Sequence, residues 1–364
     1  MKRVLLVGPH LSRQGGVANH IRTLLNSPLR KHYILDYFRV GGITKSGVLK
    51  TIITSLFTPF RFLLRILLHR PDVVHLNPSF DYKSLIRELS LVLVSKILQI
   101  PTVVQLHGGD LDRVKRHGKM PYYLKLFFNS ASHFIVLTRL QRKPLLDYLD
   151  SSRITVIPNM IDSAKYDKPK SRSARDIHII FLSRMEAEKG IFDLYQAIPK
   201  IIAQHPHAHF SFAGDGKDRQ NLQDMCRTTS SNGNITFKGY IANENKINFL
   251  LSGDIFVLPT HHKEGMPYSI LEAMAAGLPV ITTTNGAIPE IINDHENGFL
   301  IPHGKPDLLY EKINELIKNP DLLNQFSANN RKAAITIYDI NVVTKKFSKV
   351  YENTIESKSE YHTG

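Results

Sequence analysis

Cysteine is nearly absent from this chain, since Cys226 is the only cysteine in 364 residues. A disulfide scaffold needs several cysteines, so that class of protein is excluded and a reducing compartment is expected. The chain also lacks the Cys/His spacing of a structural zinc site. Its hydrophobic content of 42% and charged content of 22% are those of a globular protein. A length of 364 residues suits two domains.

Long apolar runs are scarce as well. The run that starts at Val4 ends at Gly8, too short for the core of a signal peptide, and predicts a first buried strand. The loop that follows carries the pair Gly15-Gly16, which allows a backbone to approach a ligand closely. The loop does not contain the Gly-x-Gly-x-x-Gly fingerprint of dinucleotide-binding proteins, which argues against a nicotinamide-dependent oxidoreductase.

Positive charge is in excess: 47 Lys and Arg against 32 Asp and Glu give a net charge of +15. Such a surface attracts anions, and no zinc finger, RNA-recognition signature or long arginine-rich arm indicates nucleic acid. An anionic membrane or a phosphate-bearing ligand fits better. The basic, apolar segment Val48–Arg70 predicts a pair of helices broken at Pro59. Arg61, Arg65 and His69 share one face of it. It suits either an interfacial helix on anionic lipid or a buried crossover helix.

Apolar runs of strand length alternate with helix-length segments along the chain. This alternation predicts two doubly wound α/β domains, joined by a polar linker between residues 158 and 176. The predicted strands are Val4–Val7, Tyr33–Leu35, Val73–Leu76, Val103–Leu106, Phe134–Leu137 and Ile154–Ile157, then Ile177–Leu182, His209–Ala213, Ile235–Phe237, Ile255–Leu258, Val280–Thr282 and Phe299–Ile301.

The most informative stretch runs from Glu264 to Val280. Pro267 suits the first position of a helix, residues 269 to 276 are good helix formers, and Gly277 fits a left-handed C-cap. A buried strand is expected to start at Val280. The first amides of such a helix form an anion site, which the carboxylates of Glu264 and Glu272 bracket. Amides flanked by carboxylates suit a ligand with both phosphate and hydroxyl groups, such as a sugar nucleotide.

This stretch resembles the Glu-x7-Glu segment of retaining glycosyltransferases of the glycogen-synthase-like group, glycosyltransferase family 4. The resemblance extends to the His107-Gly108-Gly109-Asp110 element, to Pro158-Asn159-Met160-Ile161-Asp162, and to the element from Arg184 to Lys189-Gly190. It implies an α/β fold of the GT-B type: two Rossmann-like doubly wound domains facing across a cleft. The expected limits are 1–165 for an acceptor-binding domain, 166–340 for a sugar-nucleotide domain, and 341–364 for a helix returning to the first domain and a frayed tail.

The resemblance also implies roles for particular residues. The catalytic residues it implies are His107, Arg184, Lys189 and Glu264. The donor-binding residues it implies are Gly15, Gly16, Gly214, Tyr240, Met266, Pro267, Tyr268, Ser269, Ile270 and Glu272. Arg184, Lys189 and the helix amides would stabilise the leaving diphosphate, and Glu272 would bind the ribose hydroxyls. Glu264 would hold the hydroxyls of the donor sugar, and His107 would contact the donor sugar or the acceptor.

The implied reaction is metal-independent transfer of a hexosyl unit, with retention, from a nucleoside-diphosphate sugar to a hydroxyl of a glycan or glycolipid. A UDP-sugar is the expected donor and no cofactor is expected. Asp110-Leu111-Asp112 matches a metal-site pattern of other glycosyltransferases, but members of this group typically need no metal. Bacterial surface polysaccharide or lipopolysaccharide assembly is the expected setting, at the cytoplasmic face of the cell membrane and without nucleic acid. Two alternatives stay open: a GT-B sugar-nucleotide epimerase and a non-catalytic, basic membrane-binding protein.

Overall fold

The computed structural model describes residues 1–13, 15–41, 48–78, 82–108, 120–168, 176–228 and 232–360. It divides the chain into two compact units, Met1–Met160 with Ile340–Gly364, and Ile161–Asp339. Each unit contains one six-stranded sheet in which all neighbouring strands are parallel. The alternation of strands and helices seen in the sequence is therefore confirmed as an α/β architecture.

The first unit has the strand order β2-β1-β3-β4-β5-β6. Its strands are β1 (Lys2–Gly8), β2 (Tyr33–Arg39), β3 (Val73–Leu76), β4 (Thr102–Leu106), β5 (His133–Val136) and β6 (Ile154–Val156). Its helices are α1 (Gly16–Leu25), α2 (Val48–His69), α3 (Tyr82–Ile97), α4 (Tyr122–Ser130) and the single turn α5 (Arg139–Arg142). The order reverses between β1 and β3, and in open α/β sheets ligands bind at the carboxyl ends of the strands at such a switch point.

Both faces of the first sheet are buried, as a doubly wound fold requires. Leu5 and Val7 of β1 pack in a cluster with residues of α2, α3 and α4. The alternate residues Val4 and Leu6 pack on the opposite face. That face includes the last helix of the chain, α12 (Ile340–Glu360), through apolar side chains such as Phe347. This helix belongs to the first unit although it follows the second unit in the sequence.

The second unit has the strand order β12-β11-β10-β7-β8-β9. Its strands are β7 (Ile177–Leu182), β8 (Ala208–Ala213), β9 (Ile235–Gly239), β10 (Ile255–Leu258), β11 (Val280–Thr283) and β12 (Gly298–Ile301). Its helices are α6 (Ile191–Gln204), α7 (Arg219–Arg227), α8 (Asn243–Leu251), α9 (Tyr268–Ala275), α10 (Pro306–Lys318) and α11 (Pro320–Thr336). This is the strand order of the six-stranded dinucleotide-binding fold. The order reverses between β7 and β10, which is therefore the switch point of this sheet.

All twelve predicted strands are present, with ends that differ by a few residues at most. The predicted break at Pro59 is wrong, because α2 runs without interruption from Val48 to His69. A proline inside a helix removes one hydrogen bond and crowds the preceding turn. The turns that follow Pro59 are held by tertiary contacts, since Phe62 and Ile66 are buried in the core. Among the described residues, no helix combines the length and the apolar character that a membrane crossing requires.

Candidate functional site

The two loops at the switch point of the second unit are fastened to each other. The carbonyl of Glu188, in the loop after β7, accepts hydrogen bonds from the hydroxyl of Thr260 at 3.2 Å and from the amide of His261 at 2.8 Å, both in the loop after β10. Gly190 has a φ of +75°, and a Cβ there would come within 2.0 Å of the Pro259 carbonyl oxygen. Glycine is therefore required at this position, and the close approach holds Lys189 over the end of β10.

A buried ion pair joins these two loops. The Lys189 ammonium donates to Oε1 of Glu264 at 2.5 Å, and the two side chains are only 7% and 13% exposed. The Thr260 hydroxyl lies 3.2 Å from the same oxygen. A third loop fixes the backbone of Glu264, whose carbonyl accepts from the amide of Ala287 at 2.9 Å. Two of the residues implied to be catalytic, Lys189 and Glu264, are thus in direct contact.

Arg184 occupies a different environment from Lys189. Its side chain is 61% exposed, and its Nη1 lies 2.9 and 2.8 Å from the two carboxylate oxygens of Glu186. The structure therefore does not place Arg184 against the Lys189–Glu264 pair. The sequence carries the signal for this ion pair, since Glu186 stands two residues after Arg184 in the same loop.

Helix α9 carries the predicted anion site. It begins at Tyr268 with Pro267 as its N-cap, one position earlier than the first-turn placement predicted for the proline. Proline offers no side-chain acceptor, so no side chain caps the helix. The first amides of a helix have no acceptor within the helix, and those of Ser269 and Ile270 are of this kind. Together with the helix dipole they favour an anion at this end.

The other end of α9 is as the sequence predicts. Gly277 has a φ of +64°, its amide donates to the Met274 carbonyl at 2.9 Å, and the amide of Leu278 donates to the Ala273 carbonyl at 3.0 Å. This pair of bonds is a Schellman motif, which requires a left-handed residue and so explains the glycine. The chain then enters β11 directly, so the helix is fixed to the sheet at its carboxyl end.

Glu272 lies inside α9 and is buried. Lys246 of α8 donates a hydrogen bond from its ammonium to Oε1 of Glu272. Tyr268, one turn before Glu272, has a pKa raised well above its usual value by burial and by the nearby carboxylate. Burial and Glu272 likewise raise the pKa of Tyr166. Both phenols therefore stay protonated, and nothing in the spacing of the sequence indicated that Lys246 would face Glu272.

The remaining residues expected to bind the donor lie on loops at the carboxyl ends of strands. Gly214 follows β8 with a φ of +133°, and a Cβ there would come within 1.8 Å of the Ser183 carbonyl oxygen. The Gly214 amide donates to the carbonyl oxygen of Gly239, at the end of β9, at 2.8 Å. Tyr240, which follows Gly239, is exposed. Glycine is therefore required at position 214 because the two loops pack closely there. This requirement is independent of any contact with the donor. Met266, just before α9, is buried.

In the first unit, His107 follows β4 and is half-buried. Its Nε2 lies 2.8 Å from Oδ1 of Asn77, which follows β3. The ring centroid of His20, on α1, lies 4.6 Å from that of His107. Burial, then the neighbouring His20 and His75, hold the pKa of His107 well below its ordinary value. Sequence reasoning identified His107 and missed Asn77, although Asn77 also stands at the carboxyl end of a buried strand.

The glycine pair of the first unit lies on the same edge of its sheet. Gly15 is the N-cap of α1 with a φ of +147°, and both Gly15 and Gly16 are exposed with open space where a Cβ would be. Asp110-Leu111-Asp112 lies outside the described residues. Within the described part of the chain, no group of three or more histidine, cysteine, aspartate or glutamate side chains is arranged to hold a metal ion.

Two family models match the chain. The model described as Glycosyltransferase Family 4 matches residues 14–165, and the model described as Glycosyl transferases group 1 matches residues 162–333. The solved structure of HepE from Anabaena in complex with UDP superimposes with a TM-score of 0.76 at 18% identity, covering 97% of this chain and 100% of that one. The fold is therefore that of a GT-B glycosyltransferase. The chain belongs to glycosyltransferase family 4.

Curated relatives extend the comparison. The chain is 24% identical over 326 residues to the capsular polysaccharide biosynthesis glycosyltransferase CapM of Staphylococcus aureus, covering 84% of each chain. It is 29% identical over 182 residues to the gpi3 subunit of the phosphatidylinositol N-acetylglucosaminyltransferase of Schizosaccharomyces pombe. That match covers 49% of this chain and 40% of the subunit. The chain spans about half the length of several relatives that it matches.

Proposed function

We propose that this protein is a retaining, metal-independent glycosyltransferase that moves a hexosyl unit from a UDP-sugar to a hydroxyl of a glycan or lipid-linked acceptor. The observation that carries the proposal is the arrangement around α9. An uncapped helix start lies between two carboxylates, Glu264 and Glu272, and each carboxylate is held by a lysine. Amides suit a diphosphate and carboxylates suit sugar hydroxyls. UDP in the similarly folded HepE supports the choice of donor.

The proposed chemistry is stabilisation of the departing nucleoside diphosphate. Negative charge collects on the phosphate oxygens as the bond to the sugar breaks, so donors aimed at those oxygens lower the barrier. The amides of Ser269 and Ile270 supply fixed donors. An ammonium has three donors, and one of those on Lys189 goes to Glu264. The pair therefore holds Lys189 in place while leaving it capacity for a phosphate.

Arg184 reaches a phosphate in this proposal by leaving Glu186. The Arg184 side chain of this ion pair is 61% exposed, and exposed ion pairs contribute only about 0–1 kcal/mol to stability. Exchanging one carboxylate for a diphosphate therefore costs little. Glu186 thus keeps Arg184 extended over the loop until the donor arrives, and the guanidinium can then bind two phosphate oxygens at once.

The donor assignment can be tested by thermal shift with UDP-, GDP- and ADP-sugars. A ligand that binds only the folded protein stabilises it by about 2.7 kcal/mol at a hundredfold excess over its dissociation constant. UDP-sugars should raise the melting temperature and the others should not. Nucleoside diphosphate release is then measured with and without bacterial glycolipid extracts. Release that needs the extract supports a transferase, whereas isomerisation of the sugar nucleotide without any acceptor and without net release of UDP supports the epimerase.

We also propose a peripheral contact with the anionic cytoplasmic face of a membrane, which suits a lipid-linked acceptor in surface polysaccharide assembly. The support is an apolar stripe on the outer side of α2. Its members, all 44–79% exposed, are Phe57, Phe60, Leu64, Leu67 and Leu68. At 3.6 residues per turn they lie within about 100° of arc, opposite the buried Phe62 and Ile66.

The neighbouring charges suit an anionic surface. The carboxylate of Asp36 on β2 binds Arg65 at 2.7 Å and lies 3.0 Å from Nδ1 of His69. The ion pair with Arg65 fixes α2 to the sheet edge with its apolar stripe outward. Arg61 and Arg70 are exposed beside the stripe. Juxtaposed apolar and basic side chains are what an interfacial helix needs. The net charge of +15 adds a long-range attraction.

Flotation with liposomes tests this contact. The protein should float with anionic vesicles at low salt and be released at high salt, because the attraction is screened. Leu68→Ser should weaken flotation. Ile97→Ser is the matched control, since Ile97 on α3 is also 79% exposed but lies outside the stripe. Equal loss in both variants, or equal binding to neutral and anionic vesicles, contradicts docking through α2.

A further inference from the structure

The first unit has its own switch point, between β1 and β3, and three chemically distinct elements follow the strands around it. Gly15 and Gly16 come after β1, Asn77 comes directly after β3, and His107 comes directly after β4. The carboxyl ends of parallel strands lie on one edge of the sheet, where ligands of α/β proteins bind. Asn77 is buried, so it acts on a ligand through a neighbour.

The orientation of the Asn77 amide is determined by its neighbours. Its Nδ2 lies 3.2 Å from the Val7 carbonyl oxygen and 3.3 Å from the His75 carbonyl oxygen. Backbone carbonyls are acceptors only, so the amide nitrogen must face them. The amide oxygen is thereby directed at Nε2 of His107, 2.8 Å away. The reverse orientation would place an oxygen against two oxygens.

The proton on His107 follows from this orientation. An amide oxygen can only accept, so Nε2 of His107 must carry the hydrogen. Within the described part of the chain, the titratable groups that act on the ring are His20 of α1, whose ring centroid lies 4.6 Å away in an edge-on arrangement, and His75 of β3. Burial lowers the pKa of both to about 3, so neither supplies a charge near neutral pH. A neutral ring with hydrogen on Nε2 has an unprotonated Nδ1.

We infer that Asn77 is a positioning residue that holds His107 in the Nε2–H tautomer, so that Nδ1 accepts a hydrogen bond from a sugar hydroxyl. The inference rests on the proposed glycosyl transfer and deepens it. An unprotonated nitrogen accepts from a hydroxyl and repels a phosphate oxygen. His107 therefore serves the sugar or the acceptor hydroxyl and not the diphosphate, which separates its role from that of Arg184 and Lys189.

The tautomer can be read without any substrate. Nitrogen-15 NMR of histidine-labelled protein distinguishes protonated from unprotonated ring nitrogens, and His107→Asn identifies the His107 signals by their disappearance. In the wild-type protein at neutral pH, Nε2 should be protonated and Nδ1 unprotonated. Asn77→Ala should give a mixture of tautomers. A protonated Nδ1 in the wild type, or an unchanged spectrum in Asn77→Ala, overturns the inference.

The functional consequence is tested with the variant Asn77→Asp. A carboxylate beside Nε2 favours the doubly protonated ring, which has a hydrogen on Nδ1 and no acceptor. Transfer by Asn77→Asp should therefore fall as the pH is lowered from 8 to 6, whereas the wild-type protein should show no such loss. Asn77→Ala should lower kcat/KM about tenfold at every pH, the effect of one misdirected hydrogen bond.

The control is Ser95→Ala, which removes a buried hydrogen bond to the Leu91 carbonyl on α3, away from this edge of the sheet. It should leave both the His107 spectrum and the pH profile unchanged. Identical pH profiles in the wild type and in an Asn77→Asp protein whose spectrum shows a doubly protonated His107 at pH 6 contradict the acceptor role. If no sugar nucleotide is ever turned over, the proposed function fails, while the spectrum still decides the tautomer.

Discussion

Variants of the Lys189–Glu264 ion pair can distinguish its contribution to the stability of the second unit from its contribution to glycosyl transfer. Replacing Lys189 by methionine keeps the length of the side chain and removes the charge. Glu264, only 13% exposed, would then keep the Thr260 hydroxyl and lose its cation. Breaking a buried pair by removing one partner typically costs about 3–5 kcal/mol, because an uncompensated charge stays buried. Lys189→Met should therefore be markedly destabilised even without donor.

The expected change in melting temperature follows from the size of the unit. Domains of about 150–250 residues lose roughly 2–4 °C per kcal/mol, so Lys189→Met should melt roughly 6–20 °C below the wild type. Arg184→Met is the matched control in the same loop. Its guanidinium is 61% exposed, and an exposed pair contributes only about 0–1 kcal/mol, so its melting temperature should fall by at most a few degrees.

The double variant Lys189→Met/Glu264→Met completes the test. Replacing a whole buried ion pair by apolar side chains of similar volume is often neutral or stabilising. Differential scanning calorimetry in the absence of nucleotide should therefore show the double variant regaining much of the lost stability, while transfer stays abolished. A Lys189→Met protein that melts with the wild type, or a double variant as unstable as the single one, refutes the reasoning.

Four further predictions concern separate residues and conditions. Arg184→Ala should lower kcat on the order of 10²-fold, and by more than it raises the KM for the donor, because negative charge on the phosphates grows in the transition state. Steady-state kinetics measures both constants, and circular dichroism confirms that the variant is folded. Glu272→Ala should mainly weaken binding of the donor and of UDP, measured by calorimetry, and an unchanged UDP affinity would exclude the ribose contact. Transfer should persist in EDTA, and loss that manganese or magnesium restores would contradict the metal-free mechanism. Burial raises the pKa of the Cys226 thiol to about 11, so iodoacetamide at pH 8 should react with it far more slowly in the native than in the urea-unfolded protein, as mass spectrometry would show.

The fold was largely predictable because parallel strands are buried on both faces and read as continuous apolar runs. Val73–Leu76, Ile177–Leu182 and Ile255–Leu258 were predicted with the ends that the structure gives them. The continuity of α2 through Pro59 was not predictable in this way. Local chemistry disfavours a proline inside a helix. Tertiary packing by residues such as Phe62 offsets this cost, together with the ion pair between Arg65 and Asp36 of β2.

The candidate site was predictable where its signal is local. The end of α9 at Gly277 follows from one glycine, and the uncapped helix start follows from Pro267. The pairing of Lys189 with Glu264 has no local signal, since 75 residues separate them. It depends on β7 and β10 being neighbours in the sheet, which the topology decides. Such contacts between loops become visible only once the strand order is known.

The most direct test of the proposed function is the anomeric configuration of the product formed from an α-linked UDP-sugar. The acceptor is the first glycolipid fraction that supports UDP release, and proton NMR of the newly attached sugar reads the configuration. Retention predicts an α-linked product, formed by the wild type and at a much lower rate by Arg184→Ala. A β-linked product, or a free sugar without any acceptor adduct, would contradict the account.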